Sequence, residues 1–221
     1  MKRYQITITG QTPLLMHADD VLFRDRLKAF QKNPDNKKKS VAGDDRTPAF
    51  TWIGYMYAEA GRIVMPSDNL MTMMREGGKC CPTGKKQETF MRLTQSGIVV
   101  DQSAWPVLID GHEVSTEGID KLAEDTDFEA HMAWARERGF ELFVKGAKVG
   151  MSKHIRVRPR FDRWQLRGTL TVLEPDMIST DSLQNILDMA GSYAGLGDWR
   201  PSSPSRPGSF GRFTAKIESV K

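Results

Sequence analysis

The order of its strand and helix patterns constrains the fold of this chain more than any single motif. Residues 3–9 alternate between apolar and polar side chains, a pattern typical of a half-buried strand. Later segments show strand or helix periodicity in turn. With the insertions removed, the order is strand, helix, strand, strand, helix and strand, at residues 3–9, 67–77, 98–109, 164–173, 180–193 and 210–218. This order predicts an α+β fold of the ferredoxin-like βαββαβ type, in which two helices cover one face of the sheet.

Turn and capping residues predict where individual elements begin and end. Asp20 and Ser67 are of the type that caps helices, and a helical pattern follows each of them. Gly77 and Gly78 predict the end of the second of these helices, because glycine favours helix termini over helix interiors. The pair Asp110–Gly111 predicts a hairpin turn.

Composition narrows the class of protein. A chain of 221 residues with a net charge of +4 fits a globular domain with insertions, and this modest positive excess permits a nucleic-acid partner. The two cysteines, Cys80 and Cys81, are adjacent, so they predict neither a disulfide framework nor a zinc site. No apolar run is long enough to cross a membrane and no signal-peptide pattern is found, so we expect a cytoplasmic protein without a membrane partner. The sequence has no P-loop or dinucleotide fingerprint, and no cofactor is expected.

The polar side chains of three predicted strands point to the sheet face that the helices leave open. They include no aromatic residue, so base stacking in the manner of RNA-recognition modules is not expected there. No carboxylate is expected on this face either, and a solvated face of an ordinary α+β domain is the alternative. The residues are Arg3, Gln5, Thr7, Thr9, Gln165, Arg167, Thr169, Thr171, Arg212, Thr214 and Lys216.

A basic segment leads into the strand at 164–173. Residues 153–167 carry six lysines and arginines against one acid, and three of the arginines lie on one side of an extended backbone. Arginine without matching carboxylates suits nucleic-acid phosphates. Replacing Arg156, Arg158 and Arg160 together is predicted to weaken RNA binding without unfolding the protein. The alternative is a solvated strand whose charges pair with the acidic helix at 117–129. The candidate contacts are Arg156, Arg158, Arg160, Arg163 and Arg167.

A long glycine-rich loop joins the last helix to the last strand. Residues 195–213 far exceed the usual connection of about two to six residues. Backbone amides and three arginines against the single acid Asp198 suit a phosphate-bearing partner, and Trp199 can stack on a base or fill the core. A disordered surface loop is the alternative. The candidate contacts are Gly197, Trp199, Arg200, Arg206 and Arg212.

Two smaller groups complete the candidate site. Arg75 and Lys79 lie at a helix end, where they can contact RNA or interact with the helix dipole. His17, Asp19 and Asp20 form the one plausible catalytic cluster, because two adjacent carboxylates can hold Mg²⁺. Since Asp20 also serves as a helix cap, neither a catalytic residue nor a resident metal is assigned. The other histidines lack ligand spacing and are expected to be structural.

Three separate segments of the chain resemble the RAMP superfamily, whose members form CRISPR effector complexes. Residues 6–16 are similar to the family's first strand and the turn that follows. Residues 63–75 resemble its strand, proline, small residues and helix ending in arginine. Residues 195–213 resemble its glycine-rich loop before the last strand. The chain thus resembles a repeated backbone subunit of the Cascade or Csm kind, or a phage or mobile-element relative of one.

The resemblance implies one hand-shaped RAMP-like domain over residues 1–221. The ferredoxin-like core is its palm, and insertions at about 17–62 and 79–150 supply fingers and thumb. The resemblance also implies that copies of the protein stack along a guide RNA, with other CRISPR effector subunits, in a ribonucleoprotein of antiviral defence. The subunit is expected to grip the sugar-phosphate backbone as a binding protein rather than as an enzyme.

Two alternatives stay open at this point. One is a metal-dependent endoribonuclease that cleaves target RNA through Asp19 or Asp20, because RNA-targeting relatives use an acidic residue in the loop after the first strand. The other is an α+β scaffold protein that binds another protein and no nucleic acid.

Overall fold

The chain is a mixed α/β protein built from antiparallel sheets and helices. The computed structural model describes residues 1–37, 39–85, 87–149, 151–204 and 206–220. Its helices are α1 (Val21–Lys32), α2 (Ser67–Lys79), α3 (Met91–Gly97), α4 (Ile119–Leu122), α5 (Phe128–Glu137) and α6 (Thr180–Met189), with 3₁₀ turns at Pro34–Asn36 and Ala49–Tyr55 and a π-helical turn at Ala190–Ala194. Its strands are β1 (Lys2–Gly10), β2 (Leu14–Leu15), β3 (Ala58–Glu59), β4 (Arg62–Pro66), β5 (Ile98–Val100), β6 (Ala104–Ile109), β7 (His112–Glu113), β8 (Glu141–Val149), β9 (Ser152–Phe161), β10 (Gln165–Val172) and β11 (Phe213–Ser219).

The chain divides into two compact units. The first unit contains residues 1–15, 64–113 and 162–221, and the second contains residues 16–63 and 114–161. Each unit has its own hydrophobic core.

The predicted insertions compare with this division in different ways. The first, at about 17–62, nearly coincides with one segment of the second unit. The second, at about 79–150, overlaps the segment 114–161, but residues 79–113 belong to the first unit. The prediction of a single RAMP-like domain stays a prediction.

The first unit is built on an antiparallel sheet with the strand order β11-β1-β10-β6-β4. The apolar side chains of β1, which are Tyr4, Ile6 and Ile8, are at most 1% exposed. The Tyr4 hydroxyl lies 2.9 Å from the hydroxyl of Thr180 at the start of α6, so α6 covers this side of the sheet. Helix α2 packs against α6. The alternation predicted for residues 3–9 is confirmed.

The predicted ends of α2 are wrong on both sides, and glycine packing explains one of them. Ser67 is the first helical residue rather than the cap, which is Pro66. The helix continues through Gly77 and Gly78 to Lys79. A Cβ on Gly77 would lie 2.4 Å from the carbonyl oxygen of Ile186 in α6. These glycines therefore allow close helix contact instead of ending the helix.

Other local predictions are confirmed. The Asp20 carboxylate accepts the Phe23 amide at 3.0 Å and caps α1. Asp110 and Gly111 have φ values of 51° and 85° and form the turn between β6 and β7. Asp110 adopts a conformation that most residues other than glycine avoid, which aspartate tolerates better than most.

The core of the second unit holds a buried histidine. His131 Nδ1 accepts a hydrogen bond from Trp52 Nε1 at 2.9 Å, so the ring proton is on Nε2, which faces the Asp125 carbonyl oxygen at 3.2 Å. Burial lowers the pKa of His131 and outweighs the opposing effects of Asp125 and Asp127. His131 is therefore a neutral structural residue, as expected from its lack of ligand spacing.

We expect this histidine to make the second unit less stable in acid. In the unfolded chain its pKa returns to about 6.5, so below this pH the unfolded state binds a proton that the folded state excludes. The unfolding free energy should fall by up to about 1.4 kcal/mol per pH unit over the interval between the two pKa values. Urea titrations from pH 7.5 to 5 should show a weaker acid dependence of the unfolding free energy for His131→Gln than for the wild type. Equal acid dependence in wild type and His131→Gln would contradict the assignment.

Candidate nucleic-acid interface

The predicted contact residues lie in both units. The first unit holds Arg75, Lys79, Arg163, Arg167, Gly197, Trp199, Arg200, Arg206 and Arg212, and the second holds His17, Asp19, Asp20, Arg156, Arg158 and Arg160. The candidate residues therefore form two sets, one in each unit.

The polar sheet face of the first unit consists of the side chains of β1, β10 and β11 that alternate with the buried ones. The register aligns them in rows across the three strands. In one row Thr7 stands between Arg167 of β10 and Lys216 of β11, and both cations are exposed. The neighbouring rows are Thr169–Gln5–Glu218 and Gln165–Thr9–Thr214.

Two carboxylates lie at this face, so the prediction of a carboxylate-free surface is wrong. Asp101, in the loop after β5, accepts from Arg3 Nε at 2.7 Å and from the Thr171 hydroxyl at 2.8 Å. Burial alone would raise the pKa of Asp101, but hydrogen bonds from Thr169, Thr171 and Arg3 lower it overall. Asp101 therefore stays ionised and neutralises the Arg3 end of the face.

The second carboxylate of the polar sheet face is exposed. Glu218 follows the polar side of β11 and lies 2.7 Å from Lys216 Nζ. The hydrogen bond from Lys216 lowers the pKa of Glu218, and the charge of Arg167 lowers it further. A pair this exposed contributes little to stability, so Lys216 can exchange Glu218 for a phosphate at small cost.

Hydrogen bonds within the loop and to the segment that follows β1 hold the described parts of the glycine-rich loop. The amide of Gly211 donates to the Pro13 carbonyl at 2.8 Å, and its carbonyl accepts from the Leu196 amide at 2.9 Å. Trp199 has a φ of 47°, and its ring lies 6.2 Å from that of Phe210. The ring is half-buried in the loop itself. Several loop amides that the sequence suggested for phosphate binding are therefore used within the fold.

The arginines of this loop differ in their surroundings. Arg200 donates to the Gly197 carbonyl at 3.0 Å and to the Ser202 hydroxyl at 3.1 Å, so it braces the loop. Arg212 precedes β11, and its guanidinium donates to the Ser192 carbonyl in the π-helical turn. This contact holds Arg212 at the helical layer, out of line with the rows of the polar sheet face. Arg206 is exposed.

The remaining candidate contact residues of the first unit, which are Arg75, Lys79 and Arg163, have acidic neighbours. Lys79 and Arg75 both contact Glu76, at 2.7 and 3.2 Å. Burial raises the pKa of Glu76, but hydrogen bonds from these two cations lower it overall. Arg163 pairs with Asp110 at 3.1 Å in an exposed contact.

Two arginines of β9, the basic strand of the second unit, contact one buried acid. Asp45 has 6% of its side chain exposed and lies 2.9 Å from Arg156 and 3.3 Å from Arg158. It also accepts the Val157 amide at 3.2 Å. The alternative that these arginines pair with the acidic helix at 117–129 missed this partner, which lies in a polar segment.

Arg158 is packed as part of the core of the second unit. Its guanidinium lies 4.1 Å from the centre of the Tyr55 ring and 3.3 Å from His17 Nε2. Burial raises the pKa of Tyr55. Arg160 lies over the Phe143 ring at 5.6 Å. The contacts of Arg158 with Asp45, Tyr55 and His17 indicate that its main role is structural.

Strands β8 and β9 of the second unit pair as an antiparallel hairpin, and farther along it like charges face each other. Lys145 is opposite Arg156, and Lys148 is opposite Lys153. Both members of the second pair are exposed. Like charges directly opposite one another destabilise a sheet, so an anion bound here would be favourable.

Each member of the candidate catalytic cluster makes a structural contact of its own. Asp20 caps α1, Asp19 accepts from Arg24 at 3.2 Å, and His17 faces Arg158. Asp19 and Asp20 line a pocket of about 200 Å³ in the second unit. Within the described ranges, no three histidine, cysteine or acidic side chains group as metal ligands.

Sequence reasoning missed the acids that organise these cations. Asp45 sits in a segment that reads as a mobile polar loop, and Asp101 in a short turn after β5. The only local signal was the excess of arginine itself, since a buried cation needs a partner.

No family model and no curated protein sequence matches this chain. No helix in the described parts of the chain is both long and apolar enough to cross a membrane.

Proposed function

We propose that this protein is an RNA-binding backbone subunit of the RAMP type, which assembles in several copies along a guide RNA within a CRISPR effector ribonucleoprotein. The first unit would be a ferredoxin-like palm. The strand order β11-β1-β10-β6 supports this, with α2 leading towards β5 and β6 and α6 leading to β11. All neighbouring strands in this order are antiparallel, as a βαββαβ sheet requires.

The observation that carries the proposal is the cationic row of the polar sheet face. Arg167 and Lys216 flank Thr7, so two positive charges and a hydroxyl point to the same side of the sheet. This combination donates to phosphate oxygens without reading bases. The absence of aromatic side chains from the alternating positions of β1, β10 and β11 agrees with a grip on the backbone.

We rest the proposal on this row rather than on the arginines of β9. Arg156 and Arg158 already bind Asp45, so an RNA phosphate would have to compete with a buried carboxylate. Arg167 and Lys216 are exposed, and the contact of Lys216 with Glu218 is screened by solvent.

Purification gives the first test. The protein isolated from an RNA-containing host is expected to carry RNA, seen as a raised ratio of absorbance at 260 to 280 nm that ribonuclease lowers. With added single-stranded RNAs of increasing length, the mass of the complex should rise in steps of one subunit. A monomer that stays free of RNA at low salt would contradict the proposal and favour the scaffold alternative.

Salt dependence tests the cationic row directly. We expect Arg167→Gln and Lys216→Gln each to reduce the slope of log affinity against log salt for single-stranded RNA by about 0.7, because each removes one phosphate contact. Fluorescence anisotropy with a labelled RNA measures this slope.

The matched control is Arg92→Gln, which removes an exposed arginine from α3 in the same unit. Its slope should equal that of the wild type. If all three variants lower the affinity by the same factor with unchanged slopes, the row does not contact phosphate.

A further inference from the structure

A pocket in the first unit gathers three sulfur-bearing side chains. It has a volume of about 310 Å³, and its lining includes Cys80, Cys81 and Met189, with Phe90 beside them. Both cysteines are free thiols, Cys80 exposed and Cys81 buried. The pocket is therefore reachable from solvent at Cys80, and its lining also includes the polar residues Thr83, Ser182 and Asn185.

The ends of two packed helices place these three residues at one pocket. Helix α2 ends at Lys79, and the Cys80 amide donates to the Gly77 carbonyl at 3.0 Å, which turns the chain into the pocket. Met189 is the last residue of α6, which packs against α2. The carbonyl end of α2 lies beside the cysteines, and this end of a helix favours positive charge.

The donor set points to a soft cation. Thiolate and thioether ligands select Cu(I), whereas Mg²⁺ and Ca²⁺ prefer oxygen and Zn²⁺ takes four ligands in a closed site. The described lining residues of the pocket include no carboxylate and no imidazole. We propose that Cys80, Cys81 and Met189 form a soft-metal site that binds one Cu(I) ion per chain.

Binding exchanges protons for metal without a redox step. Each thiol loses its proton to solvent as its sulfur–copper bond forms, the Met189 thioether donates a lone pair, and copper remains Cu(I). Because binding releases these protons, the affinity for Cu(I) should increase with pH.

Anaerobic titration of the full chain with Cu(I), in competition with a chromogenic Cu(I) chelator, tests the site. We expect one ion per chain. Cys80→Ser and Cys81→Ser should each weaken Cu(I) binding by more than about tenfold. Mutating a residue that only supports a metal ligand already costs roughly that much affinity. Because Cys80 is exposed, Cys80→Ser should fold normally, so its loss of affinity cannot be attributed to unfolding.

The contribution of the thioether needs its own control. Met189→Leu preserves volume and should weaken Cu(I) binding, whereas Met177→Leu, at a methionine that is 54% exposed in the same unit, should not. If Met189→Leu binds like the wild type, the three-sulfur site is wrong. If the double variant Cys80→Ser/Cys81→Ser also binds like the wild type, the pocket is not a metal site.

Discussion

Replacing Asp45 by alanine is expected to lower the unfolding free energy of the second unit by about 3–5 kcal/mol. Asp45 and Arg158 have only 6% and 10% of their side chains exposed, and Arg156 has 28%. Removing the carboxylate leaves two guanidinium groups without their shared partner in a site that water reaches poorly. Urea denaturation gives the total loss, and hydrogen exchange of β8 and β9 assigns it to this unit.

The matched control is Asp19→Ala in the same unit. Asp19 also pairs with an arginine, Arg24 at 3.2 Å, but 76% of the Asp19 side chain is exposed. Its loss should cost less than about 1 kcal/mol. A similar loss for the two variants would show that the Asp45 cluster is not effectively buried.

A compensated variant separates charge burial from packing. Replacing Asp45, Arg156 and Arg158 together by leucine or methionine should recover much of the stability, because apolar groups of similar volume often replace buried ion pairs without loss. Replacing only the arginines should not, since Asp45 would then be buried alone. Replacing Arg156, Arg158 and Arg160 together would also remove both arginine partners of Asp45, so a loss of RNA binding in that variant would not separate phosphate contact from unfolding. Arg160→Gln is therefore the safer probe of that strand.

Replacing Gly211 by alanine is expected to destabilise the first unit by about 2–4 kcal/mol, through backbone strain and overpacking together. Gly211 has a φ of 72°, and a Cβ there would lie 1.8 Å from the Leu196 carbonyl oxygen. Backbone cannot move aside as a flexible side chain can. The substitution would open the contact that joins the two ends of the glycine-rich loop.

Gly111→Ala is the control for backbone conformation alone. Gly111 has a φ of 85°, and nothing lies within 4 Å of the position that a Cβ would take there. This change should cost about 1–2 kcal/mol, the usual cost of a side chain in the left-handed conformation. Thermal unfolding of both variants measures the difference, and equal midpoints would mean that the loop rearranges around the added methyl group.

Local elements of this fold follow from residues close together in the chain. The strand at residues 3–9, the Asp20 cap and the turn at Asp110–Gly111 each depend on neighbours a few positions away, so their patterns suffice to predict them. The end of α2 did not follow in this way. Gly77 and Gly78 carry a helix-stop signal that contacts with α6 and α3 override.

The candidate site likewise has features that follow from the local sequence and features that depend on distant residues. Alternation in β1, β10 and β11 identifies which side chains share the polar sheet face, because the period of a strand is a local property. Which of the cations already have partners is not local: Asp45 is 111 residues from Arg156, and Asp101 is 98 residues from Arg3. By itself the sequence determined the main strands and helices, the side chains that share one face of each strand, and the excess of positive charge. Only the tertiary structure decided which of those charges are used to hold the protein together, because ion pairs form between segments that folding alone brings into contact.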